Sequence, residues 1–189
     1  MKAITPDEMI KVLKVASESK RNHAMILLAF RYGMRASEVC GLKLGDVDFR
    51  NGSITIRRLK GSLTTTAPLY PHAGQPLLAV PKVLRAWLNE RPHDGSEFVF
   101  TSQKGGKLDR TAFFRVFQSV AERAGLPKEK RHPHCAKHAL GFALVSQNVN
   151  LSMVKLALGH KSIASTAVYA VPTEEQVGKA VQSAMLGLF

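Results

Sequence analysis

The chain has 189 residues, 45% of them hydrophobic, enough for one domain with a sizeable core. Lys and Arg number 27 against 14 Asp and Glu, a formal net charge of +13. An excess of that size favours a polyanionic partner, nucleic acid before an anionic membrane surface. Two cysteines, Cys40 and Cys135, exclude a disulfide framework and read as buried free thiols. Met1 to Ile10 holds no signal-like apolar segment, and no apolar run reaches membrane-spanning length. The expected location is the cytoplasm, in association with the nucleoid.

The first helix signal is Thr5-Pro6-Asp7-Glu8: a capping threonine, a proline for the first turn, and a glutamate that closes a capping box. Met9, Ile10, Leu13 and Val15 supply its apolar stripe up to Ser19. A second helix is expected over Arg21 to Tyr32, with Met25, Ile26, Leu28 and Ala29 facing inward and Gly33 ending it. A short helix follows over Ala36 to Gly41. Asn51-Gly52 then separates Val47–Phe49 from Ser53–Ile56, a hairpin signal. A further turn at Lys60-Gly61-Ser62 leads into Thr64 to Leu69, completing a three-stranded antiparallel sheet. Beyond the prolines at 68, 71 and 76, helices are expected over Pro81 to Glu90, Asp109 to Ala124 and Pro133 to Gln147. Shorter ones fit Leu151 to Leu158 and Ser162 to Ala170, and a last helix fits Thr173 to Leu186. The class is mostly α with one small sheet. No repeat, low-complexity stretch or long linker divides the chain, so residues 1–189 are expected to form one domain.

Chemistry-bearing residues recur in order along the chain. Arg35 stands in Gly33-Met34-Arg35-Ala36-Ser37-Glu38, and Lys60 in Arg57-Arg58-Leu59-Lys60-Gly61. His134 and Lys137 stand in His132-Pro133-His134-Cys135-Ala136-Lys137-His138. His160 follows Leu158-Gly159, and Tyr169 comes nine residues later. A phosphodiester is an anion that gains charge on its non-bridging oxygens during in-line attack. Cationic donors held at those oxygens stabilise the transition state, and a guanidinium can bind two oxygens in fixed geometry. Singly, each residue is as well explained by a solvated surface Arg or Lys, a structural His, or a core tyrosine.

Taken together, the segments "GMRASEVCGLKLGDVD", "RRLKGSLTTTAPL", "HPHCAKHALGFAL" and "LGHKSIASTAVY" resemble the tyrosine recombinase (phage integrase) family over essentially the whole chain. They resemble in particular the small stand-alone members that invert promoter segments in fimbrial phase variation. The resemblance implies the catalytic-domain fold, without a separate N-terminal DNA-clamping domain. It implies a site-specific recombinase that forms a 3′-phosphotyrosyl intermediate during DNA integration, excision or inversion. Tyr169 would be the nucleophile, and Arg35 the phosphate clamp. Lys60 would donate a proton to the departing 5′ oxygen. His134 would assist proton transfer at the tyrosine, and His160 would bond a non-bridging oxygen. The phosphotyrosyl bond conserves the energy of the broken backbone, so no cofactor is implied.

The partners implied are duplex DNA with inverted-repeat sites and further copies of the chain, as a dimer and then a tetramer. Val177, Val181, Met185, Leu186 and Phe189 form an apolar helical face suited to that contact. One position departs from the family pattern: His-x-x-Arg reads here His134-Cys135-Ala136-Lys137, which keeps the charge and loses the fork. Arg131 is a candidate substitute. The departure leaves open a DNA-binding regulator with weakened turnover, and the shared chemistry leaves open a type IB topoisomerase-like activity. His134 and His138 have metal-ligand spacing. No carboxylate pair accompanies them, so no metal site is expected.

Overall fold

The structure is a computed structural model and describes residues 3–58, 64–170 and 174–186. Helix α1 (Pro6–Ala16) starts as its sequence dictates: Thr5 accepts a hydrogen bond from the Glu8 backbone, and the Glu8 side chain returns one to Thr5. Its buried face is Met9, Val12, Leu13 and Ala16. Met9 and Leu13 of the expected stripe are thus buried, whereas Ile10 and Val15 are only half-buried at its edges and Val12 and Ala16 complete the face. Helix α2 (Lys20–Arg31) is capped by Ser19 and buries a continuous run from His23 to Ala29. It is covered on several sides, packing against α1, α4 and α6, so its burial exceeds a single stripe.

Helix α3 (Ala36–Cys40) is followed by a short 3-10 turn, Leu44–Asp46. Strands β1 (Val47–Asp48), β2 (Ser53–Ile56) and β3 (Thr65–Pro68) pair antiparallel in the order β1-β2-β3. Gly52 takes a positive φ of 63° at the β1–β2 turn, which the Asn51-Gly52 signal anticipates. Ile54 opposes Ala67, and Ile54 and Ile56 point into the core. The expected Lys60-Gly61-Ser62 turn, and Lys60 with it, lies outside the described residues.

Helix α4 (Val80–Leu88) carries Val80, Val83, Leu84 and Trp87 into the core, and the Trp87 indole N–H donates to the Val99 carbonyl. Helix α5 (Arg110–Arg123) buries Phe113, Phe117, Val120 and Ala121. In the segment between them, an isolated bridge from Phe98 to Lys43 ties the chain to the body, and a second, Thr101 with Lys107, closes a turn within the segment.

Helices α6 (Pro133–Ser146), α7 (Leu151–Leu158) and α8 (Ala164–Ala167) build a second, smaller apolar cluster around Val154, Leu158 and Tyr169. Helix α9 (Glu174–Leu186) leaves Val177, Val181, Met185 and Leu186 exposed. Among the described residues, no helix is long and apolar enough to cross a membrane.

Candidate active site

Local sequence sets where each side chain emerges. Arg35 is the N-cap residue of α3, with extended backbone. Its backbone N–H donates to Glu38 Oε2 at 2.8 Å, and its Nη1 donates to Glu38 Oε1 at 2.9 Å. Arg35 is thus gripped on one side while about a third of its side chain (34%) remains exposed. Glu38 is fully buried, and burial alone would raise its pKa. The hydrogen bonds from Arg35 and the charge of Arg58 hold it below the usual carboxylate range.

Arg58 had no role in the sequence reading, and it lies at the centre of the site's frame. Its side chain is 1% exposed. Nη1 donates to Glu38 Oε2 at 3.0 Å and to the Gly33 carbonyl at 3.2 Å. Nη2 donates to the Tyr32 carbonyl at 2.9 Å and the Ala157 carbonyl at 3.0 Å. Gly159 is required beside it twice over. It has a left-handed φ of 61°, and a Cβ there would lie 2.5 Å from Arg58 Nε.

Helix α6 presents His134, Lys137, His138 and Gly141 at spacings that share one helical face. His134 and His138 stack with ring centroids 5.7 Å apart. His138 Nδ1 lies 2.7 Å from the Tyr169 hydroxyl. Gly141 makes room for the Tyr169 ring, since a Cβ there would come within 2.7 Å of it. Phe142 meets the same ring edge-on at 5.1 Å. His160 stacks nearly parallel to Tyr169, 6.2 Å away, and its Nδ1 is fixed by the Thr166 hydroxyl at 3.0 Å. The side-chain absence at 141 and the aromatic neighbours explain why a tyrosine 5% exposed fits here.

The electrostatics follow from burial beside cations. Burial, then the charges of His134, His132 and Lys137, push His138 down to about 4. Burial, then Lys137 and Arg35, push His160 down to about 4. Both imidazoles are therefore neutral at pH 7. Burial raises the Tyr169 phenol above its ordinary value, so it is protonated there. Lys137 is 2% exposed and donates to the Leu158 carbonyl at 2.5 Å. Burial, then the neighbouring Arg35 and Arg58, bring it down to about 7.

Of the six residues singled out in the sequence, five fall among the described residues: Arg35, His134, Lys137, His160 and Tyr169. His160 meets Tyr169 directly. The histidine bonded to Tyr169 is His138, with His134 one stacked ring further out. Residues 134 and 138 share a helix face, so spacing alone does not separate them. Arg131 does not face the site: its Nε donates to the Leu126 carbonyl, and its Nη1 pairs with Glu122. Among the described residues, no group of three His, Cys, Asp or Glu side chains is placed to hold a metal ion. A cleft of about 280 Å³ opens beside the site, lined by Arg35, Ser37, Arg110, Phe114, His132 and His134.

The fold is that of a tyrosine recombinase catalytic domain. The XerH site-specific recombinase bound to difH substrate superposes with a TM-score of 0.81 at 24% identity, over 96% of this chain and 54% of that one. The Tn1549 transposon integrase in complex with transposon right end DNA gives 0.76 at 19% identity, over 98% and 66%. This chain thus spans about half to two thirds of those longer proteins. In sequence, the type 1 fimbriae regulatory protein FimB of Escherichia coli K12 is 37% identical over 172 residues, covering 88% of this chain and 82% of FimB. The phage integrase family model matches residues 2–176, and the chain belongs to that family, the tyrosine site-specific recombinases that cleave and rejoin DNA.

Proposed function

We propose that this protein cleaves one DNA strand by attack of the Tyr169 hydroxyl on a phosphodiester, and exchanges strands between paired sites. The observation that carries this reading is the 2.7 Å contact between Tyr169 and His138, inside a cluster with His160 and behind an arginine frame. In the Nε2–H tautomer of His138, the phenol donates to Nδ1, and that nitrogen takes the proton as the tyrosyl oxygen attacks. The Tyr169 O–P bond forms while the bond from phosphorus to the 5′ oxygen breaks. The 5′ oxygen takes a proton from Lys60, and the 3′ phosphate stays on Tyr169. Arg35 and neutral His160 donate to the non-bridging oxygens as they gain charge. His134, stacked on His138, supports the acceptor ring. Lys137 acts from beneath, as a buried cation that fixes the Leu158 carbonyl. Rejoining reverses the sequence and needs no external energy source.

The +13 charge supports duplex DNA as the partner, as does the likeness to an integrase solved with transposon end DNA. Inverted-repeat sites, assembly of two and then four copies through the exposed face of α9, and action on nucleoid DNA complete the proposal. The test is a nicked suicide duplex that traps the covalent product, resolved by denaturing electrophoresis. Wild type gives the adduct, and Tyr169→Phe gives none while binding DNA with unchanged affinity. Tight, salt-sensitive binding by a wild type that forms no adduct would replace the recombinase with a DNA-binding regulator of the same fold.

A further inference from the structure

Arg58 does something that burial alone does not require. A buried arginine usually answers one carboxylate, and this one reaches four oxygens on three separate segments. Two of them, on Tyr32 and Gly33, belong to the C-terminal end of α2, just before Arg35. One belongs to Glu38, whose other carboxylate oxygen holds Arg35 itself. The fourth is on Ala157, at the C-terminal end of α7, immediately before Leu158-Gly159-His160. The carbonyls at a helix C-terminus lack intrahelical partners and carry partial negative charge, so a cation there is favoured. One guanidinium thus joins two helix ends that are distant in sequence and that each lead into a site residue. Lys137 adds a second cation to the same α7 end through the Leu158 carbonyl.

We infer that Arg58 is a positioning residue that sets Arg35 and His160 in register with one another. The inference rests on the recombinase reading above. Arg58 touches no reacting atom. It acts through Glu38 on Arg35 and through Ala157 on the turn before His160. A planar fork with donors on two edges can reach four oxygens, and an ammonium on a shorter stem cannot. Gly159 leaves the space the fork occupies.

The test is Arg58→Lys, which keeps the charge opposite Glu38, with Arg58→Met as the charge-free comparison. Amide hydrogen exchange is read on the whole chain, and single-turnover cleavage on two suicide substrates. One substrate is an ordinary phosphodiester. In the other, sulfur replaces the 5′ bridging oxygen, so the leaving group needs no proton. In Arg58→Lys, exchange should rise together at residues 33–36 and 157–160 and stay unchanged in α5. Displacement of catalytic groups by about 1 Å should slow cleavage of the ordinary substrate about a hundredfold. The sulfur substrate should show the same loss, because Arg35 and His160 act on the non-bridging oxygens and not on the leaving group, and DNA affinity should stay within about twofold. Four results would overturn the inference: wild-type rates in Arg58→Lys, exchange confined to one segment, recovery of most of the loss on the sulfur substrate, or global loss of protection in both variants. If wild type itself fails to cleave, the recombinase reading falls instead, and the exchange pattern decides the role of Arg58 alone.

Discussion

Replacing Lys137 by methionine should stabilise the protein at pH 6 and lose that advantage at pH 9. The side chain is 2% exposed, and its pKa drops from 10.5 to about 7, with burial the main cause and Arg35 and Arg58 adding repulsion. At about 1.4 kcal/mol per pH unit, that drop represents on the order of 5 kcal/mol against burying the ammonium below pH 7. Methionine has similar length and no charge, so it removes this cost. It also leaves the Leu158 carbonyl without the Lys137 donor, which costs about 1–3 kcal/mol. The net gain at pH 6 is on the order of 2–4 kcal/mol. Between about pH 7 and 10.5 the unfolded chain holds the lysine proton and the native state does not. Wild-type stability therefore rises with pH across that window, by about 3 kcal/mol between pH 7 and 9. Over the same range the variant's advantage should shrink to near zero. Urea denaturation of both proteins at pH 6 and pH 9 reads the difference directly. An advantage of equal size at both pH values, or a variant less stable at pH 6, would refute the assignment of a strained buried ammonium.

Further outcomes follow from the same geometry. Lys137→Arg should raise single-turnover cleavage by about ten- to a hundredfold by restoring a fork beneath the phosphate, and a clash that lowers the rate would show a pocket shaped for an ammonium. His138→Ala should slow cleavage about a hundredfold or more, with DNA affinity unchanged, and His134→Ala should cost less, since the ring bonded to Tyr169 is that of His138. Duplex binding should weaken steeply with salt, with a log–log slope steeper than roughly −5 for six phosphate contacts, whereas a nearly flat plot would remove DNA as the main partner.

Much of the fold was legible because its signals are local. The Thr5 capping box, the Gly33 stop after α2 and the Asn51-Gly52 turn each act through residues a few positions apart, and the structure carries all three. The face of α1 was less legible, since Val12 and Ala16 replace Ile10 and Val15 once α2 and α5 select which side is covered. At the site, the ordered set of Arg35, His134, Lys137, His160 and Tyr169 was readable, whereas the pairing of His138 with Tyr169 depends on how α8 docks against α6. Arg58 carried no signal of its own, being one basic residue among 27. Its partners are mostly backbone carbonyls from distant segments, which sequence pattern does not report. Glu38 left a trace, as the third residue after Arg35 at a helix start, where a capping box expects a carboxylate.

The central claim is that Tyr169 is the residue that becomes joined to DNA. The direct measurement is to trap the wild-type adduct on a nicked duplex, digest the protein, and locate the nucleotide-bearing peptide by mass spectrometry. The account predicts a 3′-phosphate ester on the peptide containing Ser165-Thr166-Ala167-Val168-Tyr169, with fragmentation placing the added mass on the tyrosine. An adduct on Tyr32, Tyr70 or any other residue, or an undiminished adduct in Tyr169→Phe, would contradict it.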